Sequence, residues 1–220
     1  MRNWFATSPV KARVLPFVVF VAITYFQDKL GLHSQYWVYG VKTVVGAWLL
    51  WAVWPFVPEM RWAATGRAFW VGIGVFILWV GLDQYYPKMG TGGGAIWNPF
   101  MAFGDNSKLA WGLVLMRFVG SVLIVPPLEE AFFRSFIYRY VASSDWSQVA
   151  LSVWNWRAAG CSALMFGFEH HEWLPGILCG LAYQWLTFKR GSLGEAMFAH
   201  AITNLALGIY VVSKGMWTFW

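Results

Sequence analysis

The sequence predicts an all-α polytopic integral membrane protein, a bundle of about seven transmembrane helices with six to eight as the range. Three observations carry this. Of the 220 residues 59% are hydrophobic and only 12% are charged, whereas a soluble domain has about 25% charged residues. Apolar runs of bilayer-crossing length recur along the chain, separated by short polar breaks. Seventeen Trp, eighteen Phe and nine Tyr provide amphipathic rings for two interfacial belts. The apolar content excludes a disordered chain.

A bilayer core of about 30 Å takes roughly 20 helical residues. The first apolar stretch runs from Val14 to Phe26 behind Arg2, Lys11 and Arg13. It lacks a small-residue cleavage site after Tyr25 and Phe26, so it reads as a retained anchor. Tyr36 to Val57 and Ala68 to Leu82 follow. The connection after Asp83 contains Gly90, Gly92, Gly93 and Gly94 but no GK[ST] ending, and reads as a plain linker. From Leu109 the chain is apolar to Pro126 and Pro127, where the loss of backbone donors predicts a break and a new helix to Ala142. Ser143 to Gln148 is polar. Ala158 to Phe168, Leu174 to Phe188 and Leu193 to Val212 complete the set. Residues 1–108 thus hold the N-terminal helices and outer loop, and 109–220 a motif-bearing core, within one membrane domain.

Placing the N-terminus in the cytoplasm puts ten Lys and Arg on inner loops and helix ends against Lys29, Lys88, Lys108 and Lys214 outside, the bias expected of that orientation. Lys42 and Arg117 fall inside spans and are expected to snorkel or to pair. The +6 charge is scattered rather than gathered into a stripe, which argues against nucleic acid. Cys161 and Cys179 have no metal or redox spacing and read as packing residues.

Ionisable groups inside a membrane segment are costly and mark function by default. Three clusters stand out: Glu129-Glu130-x-x-x-Arg134, Phe166-x-x-x-His170 and His200-x-x-x-Asn204. Glu130 and Arg134 are i,i+4 neighbours able to pair, leaving Glu129 turned about 100° away. His200 and Asn204 likewise share one helix face. Counted from the inner ends at about 1.5 Å per residue, the clusters lie roughly 15, 20 and 15 Å deep, at one level. Glu169, His171 and Glu172 read as interfacial, Glu195 as capping the last helix. Asp28, Asp83, Asp105 and Asp145 fall in loops, which argues against an aspartyl protease.

These motifs, in this order between Leu109 and Val212, resemble the CAAX-processing and bacteriocin-maturation (CPBP, Abi) intramembrane proteases. The compact, aromatic-rich chain is also similar to the CAAX-protease-related subgroup associated with exosortase systems. The resemblance implies peptide-bond hydrolysis without a cofactor. Glu129 and His170 would activate water, His200 and Asn204 would form the oxyanion hole, and Glu130 with Arg134 would be a structural or substrate-orienting pair. It implies a peptide or protein substrate, lipidated or membrane-anchored, and a bacterial inner membrane location. The carboxylates and imidazoles also make a zinc set, the lesser alternative. A transporter or a noncatalytic scaffold would place charges at mid-membrane too, although no internal repeat supports a transporter.

Overall fold

The computed structural model describes residues 2–89 and 96–220; Gly90, Gly92, Gly93 and Gly94 lie outside them. The described residues form nine helices: α1 Arg2–Ala6, α2 Pro9–Tyr25, α3 Ser34–Val53, α4 Gly66–Gly81, α5 Pro99–Phe103, α6 Lys108–Ala142, α7 Trp156–Phe168, α8 Trp173–Arg190 and α9 Gly194–Lys214. No strand occurs among them. Local chemistry sets the starts. Ser8, Thr65, Ser107 and Asn155 each accept a backbone N–H from the first turn of the helix that follows. The left-handed Gly191 and Gly215 end α8 and α9.

By length and composition α6, α9 and the run Ser34–Phe56 are able to cross a membrane, and α4 is a shorter apolar helix. The protein is an integral membrane protein. Long segments fall within a few residues of the apolar runs in the sequence. The short α1 and α5 are additions that no apolar period announces.

The predicted break at Pro126 and Pro127 is corrected. The chain stays helical from Lys108 to Ala142, with π-helical stretches at Gly120–Ile124 and Ala131–Ile137. The α-register restarts at Val125, with the prolines in the new first turn. In the π-register residue 126 would donate to the Ser121 carbonyl, but proline has no N–H. The Asn204 side-chain amide of α9 supplies that donor, Nδ2 lying 2.8 Å from the Ser121 oxygen. A long-range hydrogen bond therefore satisfies what the prolines leave open, and the helix axis continues.

Small residues let the helices that carry the motifs touch. Ala163 and Gly167 of α7 face Gly176 and Gly180 of α8, the small-xxx-small pattern of close membrane helix pairs. A Cβ on Gly167 would fall 2.7 Å from the Trp173 carbonyl oxygen. Gly72 of α4 backs onto α9, where a Cβ would sit 2.5 Å from the Ala199 oxygen, and its own carbonyl accepts from Thr203 at 2.9 Å. Phe5, Leu49, Leu128 and Met197 share one apolar cluster, so both halves of the chain build the same core.

At the end of the bundle that carries the N-terminus, Glu59 in the connection between α3 and α4 accepts from Arg13 at 2.8 and 2.9 Å, and also from Ser135 and Arg139. This ties α2 and the second π stretch of α6 to one carboxylate. Burial pushes the Glu59 carboxyl up, but Arg13, the Ser135 hydroxyl and Arg139 outweigh it and hold it below the ordinary 4.5. Glu195, buried in the first turn of α9 where a carboxylate complements the helix dipole, makes no side-chain cap there and pairs instead with Arg67 at 2.7 Å and Arg190 at 3.4 Å.

Candidate active site

Glu129 and Glu130 leave α6 in adjacent directions and meet different surroundings. Glu130 is fully buried, its Oε2 3.2 Å from Arg134 Nε across the i,i+4 step. That contact is an ion pair with poor hydrogen-bond alignment, since both atoms lack a hydrogen-bond partner in good geometry. The Arg134 guanidinium also lies 4.2 Å from the Phe166 ring centroid and 3.5 Å from the Gly180 carbonyl. A charge with no exposure is thus compensated by one carboxylate, one carbonyl and the faces of Phe166, Phe133 and Tyr183.

Glu129 instead lines a cavity of about 470 Å³, and its buried Oε2 accepts no hydrogen bond. His170, His200 and Asn204 line the same cavity, whereas Glu130 and Arg134 do not. The FxxxH turn orients His170: its Nδ1 is 2.8 Å from the Phe166 carbonyl. A carbonyl accepts only, so Nδ1 carries the proton and the neutral ring keeps an unprotonated Nε2. Trp79 meets that ring edge to face at 5.4 Å.

His200 bridges the two glutamates. Its Nδ1 lies 3.0 Å from Glu130 Oε1 and its Nε2 3.8 Å from Glu129 Oε2. Tyr183 stacks on the ring at 5.1 Å, and its hydroxyl meets Thr203 Oγ1 at 2.7 Å. Nδ1 donates to Glu130, so Nε2 is a donor only when the ring carries both protons. Asn204 spends one amide hydrogen on Ser121, which fixes the plane of the amide and leaves its second hydrogen uncommitted.

Several cavity residues were not singled out as functional in the sequence. Lys42 and Arg117 join no ion pair among the described residues and line the cavity wall. An unpaired cation within an apolar run is itself a signal, and it was readable in both cases. Glu169, His171 and Glu172 stand at the cavity edge next to the loop, where His171 Nδ1 meets the Met89 carbonyl at 2.8 Å. Both cysteines are free; Cys179 lines the cavity and Cys161 is exposed. Among the described residues no group of three or more His, Cys, Asp or Glu is placed to hold a metal ion.

The motif-bearing helices also carry the family signal. Residues 110–206 match the family model Rce1-like, described as type II CAAX prenyl endopeptidase Rce1-like. The stretch 110–206 of the chain is similar to that family. The match indicates a CAAX-type intramembrane protease, with a peptide or protein substrate in the membrane, and it does not extend to the exosortase-associated subgroup. No curated protein and no solved structure matches the chain.

Proposed function

We propose that this chain is a glutamic intramembrane endopeptidase in which Glu129 and His170 activate water and His200 with Asn204 stabilises the oxyanion. The observation that carries the reading is the convergence of all four side chains on one cavity, with Glu129 Oε2 buried and uncommitted, inside a segment that matches a CAAX endopeptidase family. Water attacks the scissile carbonyl carbon and gives its proton to Glu129, with His170 Nε2 accepting from the same water or its bridge. The new oxyanion takes a hydrogen bond from the second Asn204 amide hydrogen, and from His200 Nε2–H when that ring carries both protons. Collapse breaks the C–N bond, and the proton held by Glu129 passes to the leaving amine. Glu130 and Arg134 orient His200 rather than touch substrate. No metal enters this scheme.

The cavity also bears on sidedness. Its lining comes from the last turns of α2 and α4, the second turn of α3, the first half of α6 and the loop after α7, with Thr24, Tyr39, Trp79, Arg117 and Glu169 as markers. All these belong to the bundle end opposite the N-terminus. The Lys and Arg bias favours a cytoplasmic N-terminus in a bacterial inner membrane, and in that orientation the cavity opens outward. A single cysteine at Leu32, exposed in the connection at that end, should react with an impermeant maleimide in intact cells, and protection there would reverse the orientation.

The activity is tested by comparing protein termini in cells lacking the gene and complemented with wild type or Glu129→Ala at equal membrane levels. New termini restored by the wild type alone support the reading. Equal restoration by both removes Glu129 from the chemistry and returns the transporter or scaffold.

A further inference from the structure

The bundle end that carries the N-terminus has a second hollow, about 590 Å³, which shares no lining residue with the cavity of Glu129. Four stretches distant in sequence wall it: the connection between α3 and α4, the last turn of α6, residues 147–152 and the turn between α8 and α9. Tertiary contacts hold these walls together. Leu193 donates its backbone N–H to the Glu59 carbonyl at 3.0 Å and Ala63 to the Gly194 carbonyl at 3.2 Å. Gly191 lies so near Ser152 that a Cβ on it would touch that side chain at 3.6 Å. The shape is therefore set by packing between separate elements rather than by one loop.

The charge of this hollow is not balanced. Arg13 and Arg139 both turn their guanidinium onto the single carboxylate of Glu59, so the trio keeps one positive charge. Arg139 is nine-tenths buried, with 9% exposed, and its donors are unevenly used. Nε donates to the Ser135 carbonyl at 2.6 Å, and Nη2 donates to Glu59 and to the Ser135 hydroxyl. Nη1, with two hydrogens, has no partner among the described residues, and unlike the Arg134 nitrogens it is not sealed off. Arg139 lines the hollow, so that opening is where Nη1 is accessible. Arg61, also in the lining, joins no ion pair among the described residues. Glu59 is the one carboxylate of the lining among the described residues; Asp145, which accepts from the Ser147 hydroxyl at 3.1 Å, does not line it. Ser152 and Ser192 add two hydroxyls to the wall.

Guanidinium and hydroxyl donors around an excess positive charge suit an oxyanion. A planar carboxylate is satisfied by one guanidinium fork, whereas donors on several walls match a tetrahedral anion. The hollow also lies where α3 and α6 end and α9 begins, with Trp54 and Trp62 exposed at the same end, which is the level of a membrane surface. Basic pockets between helices at that level hold anionic headgroups. We propose that Arg139 and Arg61 bind a phosphate group in this hollow, a chemistry that a phospholipid headgroup and free phosphate share. The phosphate neutralises the charge that Glu59 leaves over, and it ties the end of α6 to the connection between α3 and α4. The site is independent of the endopeptidase reading, since none of its residues lines the cavity of Glu129.

The test uses purified full-length protein in a neutral detergent, with phosphatidylglycerol, phosphatidylcholine and inorganic phosphate as probes. Lipid binding is read by native mass spectrometry and the effect of each probe by thermal unfolding. Wild type should bind phosphatidylglycerol roughly 5- to 25-fold more tightly than phosphatidylcholine, the range of one or two cations near a membrane surface. Arg61→Gln should weaken phosphatidylglycerol about 5-fold, and Arg61→Lys should restore it. Arg139→Lys keeps a cation for Glu59 without the free Nη1 and should weaken binding about 10-fold. Should that variant fail to fold, Ser192→Glu decides: it leaves both arginines and Glu59 in place, sets a negative charge in the hollow, and should abolish the preference. A rise in unfolding temperature with phosphatidylglycerol alone assigns the site to a lipid headgroup, and a rise with inorganic phosphate as well assigns it to phosphate from either source, provided Ser192→Glu removes the rise. Equal binding of the two lipids, with no response to phosphate, overturns the proposal. So does a preference for phosphatidylglycerol that survives both Arg61→Gln and Ser192→Glu, which would move the lipid to Arg67 and Arg190, the other basic pair of this end.

Discussion

Asn204 holds two jobs that a double substitution separates. Its amide covers the Ser121 carbonyl that Pro126 cannot reach, and its second amide hydrogen is proposed to face the oxyanion. Asn204→Ala removes both. The structural loss is one hydrogen bond between membrane helices, about 1 kcal/mol, which leaves most of the protein folded. The catalytic loss is that of one oxyanion donor, roughly 100- to 1000-fold in kcat. Adding Pro126→Ala returns a backbone N–H at the π-register position that pairs with Ser121, so the double variant should regain thermal stability in detergent and remain as slow as Asn204→Ala. Single-turnover peptide cleavage read beside thermal unfolding decides the matter. If the double variant recovers rate together with stability, Asn204 is a backbone cap alone and the oxyanion assignment is wrong.

Glu130→Ala leaves the Arg134 guanidinium buried with no counter-charge and should destabilise by about 3–5 kcal/mol, whereas Glu129→Gln should unfold near the wild-type temperature while losing cleavage; equal melting of the two would show that Arg134 is neutralised otherwise. The Glu59 carboxyl is held below 4.5 in the fold, so it binds its proton more readily when unfolded. Its stabilising contribution is full above 4.5 and is lost as the pH falls through the lowered folded value. Thermal unfolding from pH 6 downward should show this extra acid loss in the wild type and lack it in Glu59→Gln, and parallel curves would remove Glu59 as the source. Chelators should leave purified activity unchanged; abolition followed by recovery on adding zinc would put a metal into the site.

The positions of the long helices were legible because apolar runs of bilayer length need no tertiary information, and the three polar clusters because charges are rare in such runs. Glu130 with Arg134, and His200 with Asn204, were legible as pairs because i,i+4 spacing places them together on any helix. Continuity through Pro126 and Pro127 was not, since it depends on an amide 83 residues away in sequence. The bridging of both glutamates by His200 depends on how α9 packs against Gly72, a close approach that periodicity does not record. Lys42 and Arg117 were visible as anomalies, but only the packing of α3 against α6 shows that both line the cavity with Glu129. Which bundle end is hollow is likewise a property of packing.

The recognisable segment starts at residue 110, yet Phe20, Thr24, Tyr39, Lys42 and Trp79 of the preceding helices form one wall of the chamber. On the proposed reading the reacting groups and that wall come from different stretches of the chain. A chimera joining residues 1–109 of another such protein to residues 110–220 of this one should then change which peptides are cut while keeping the reaction of Glu129, His170, His200 and Asn204.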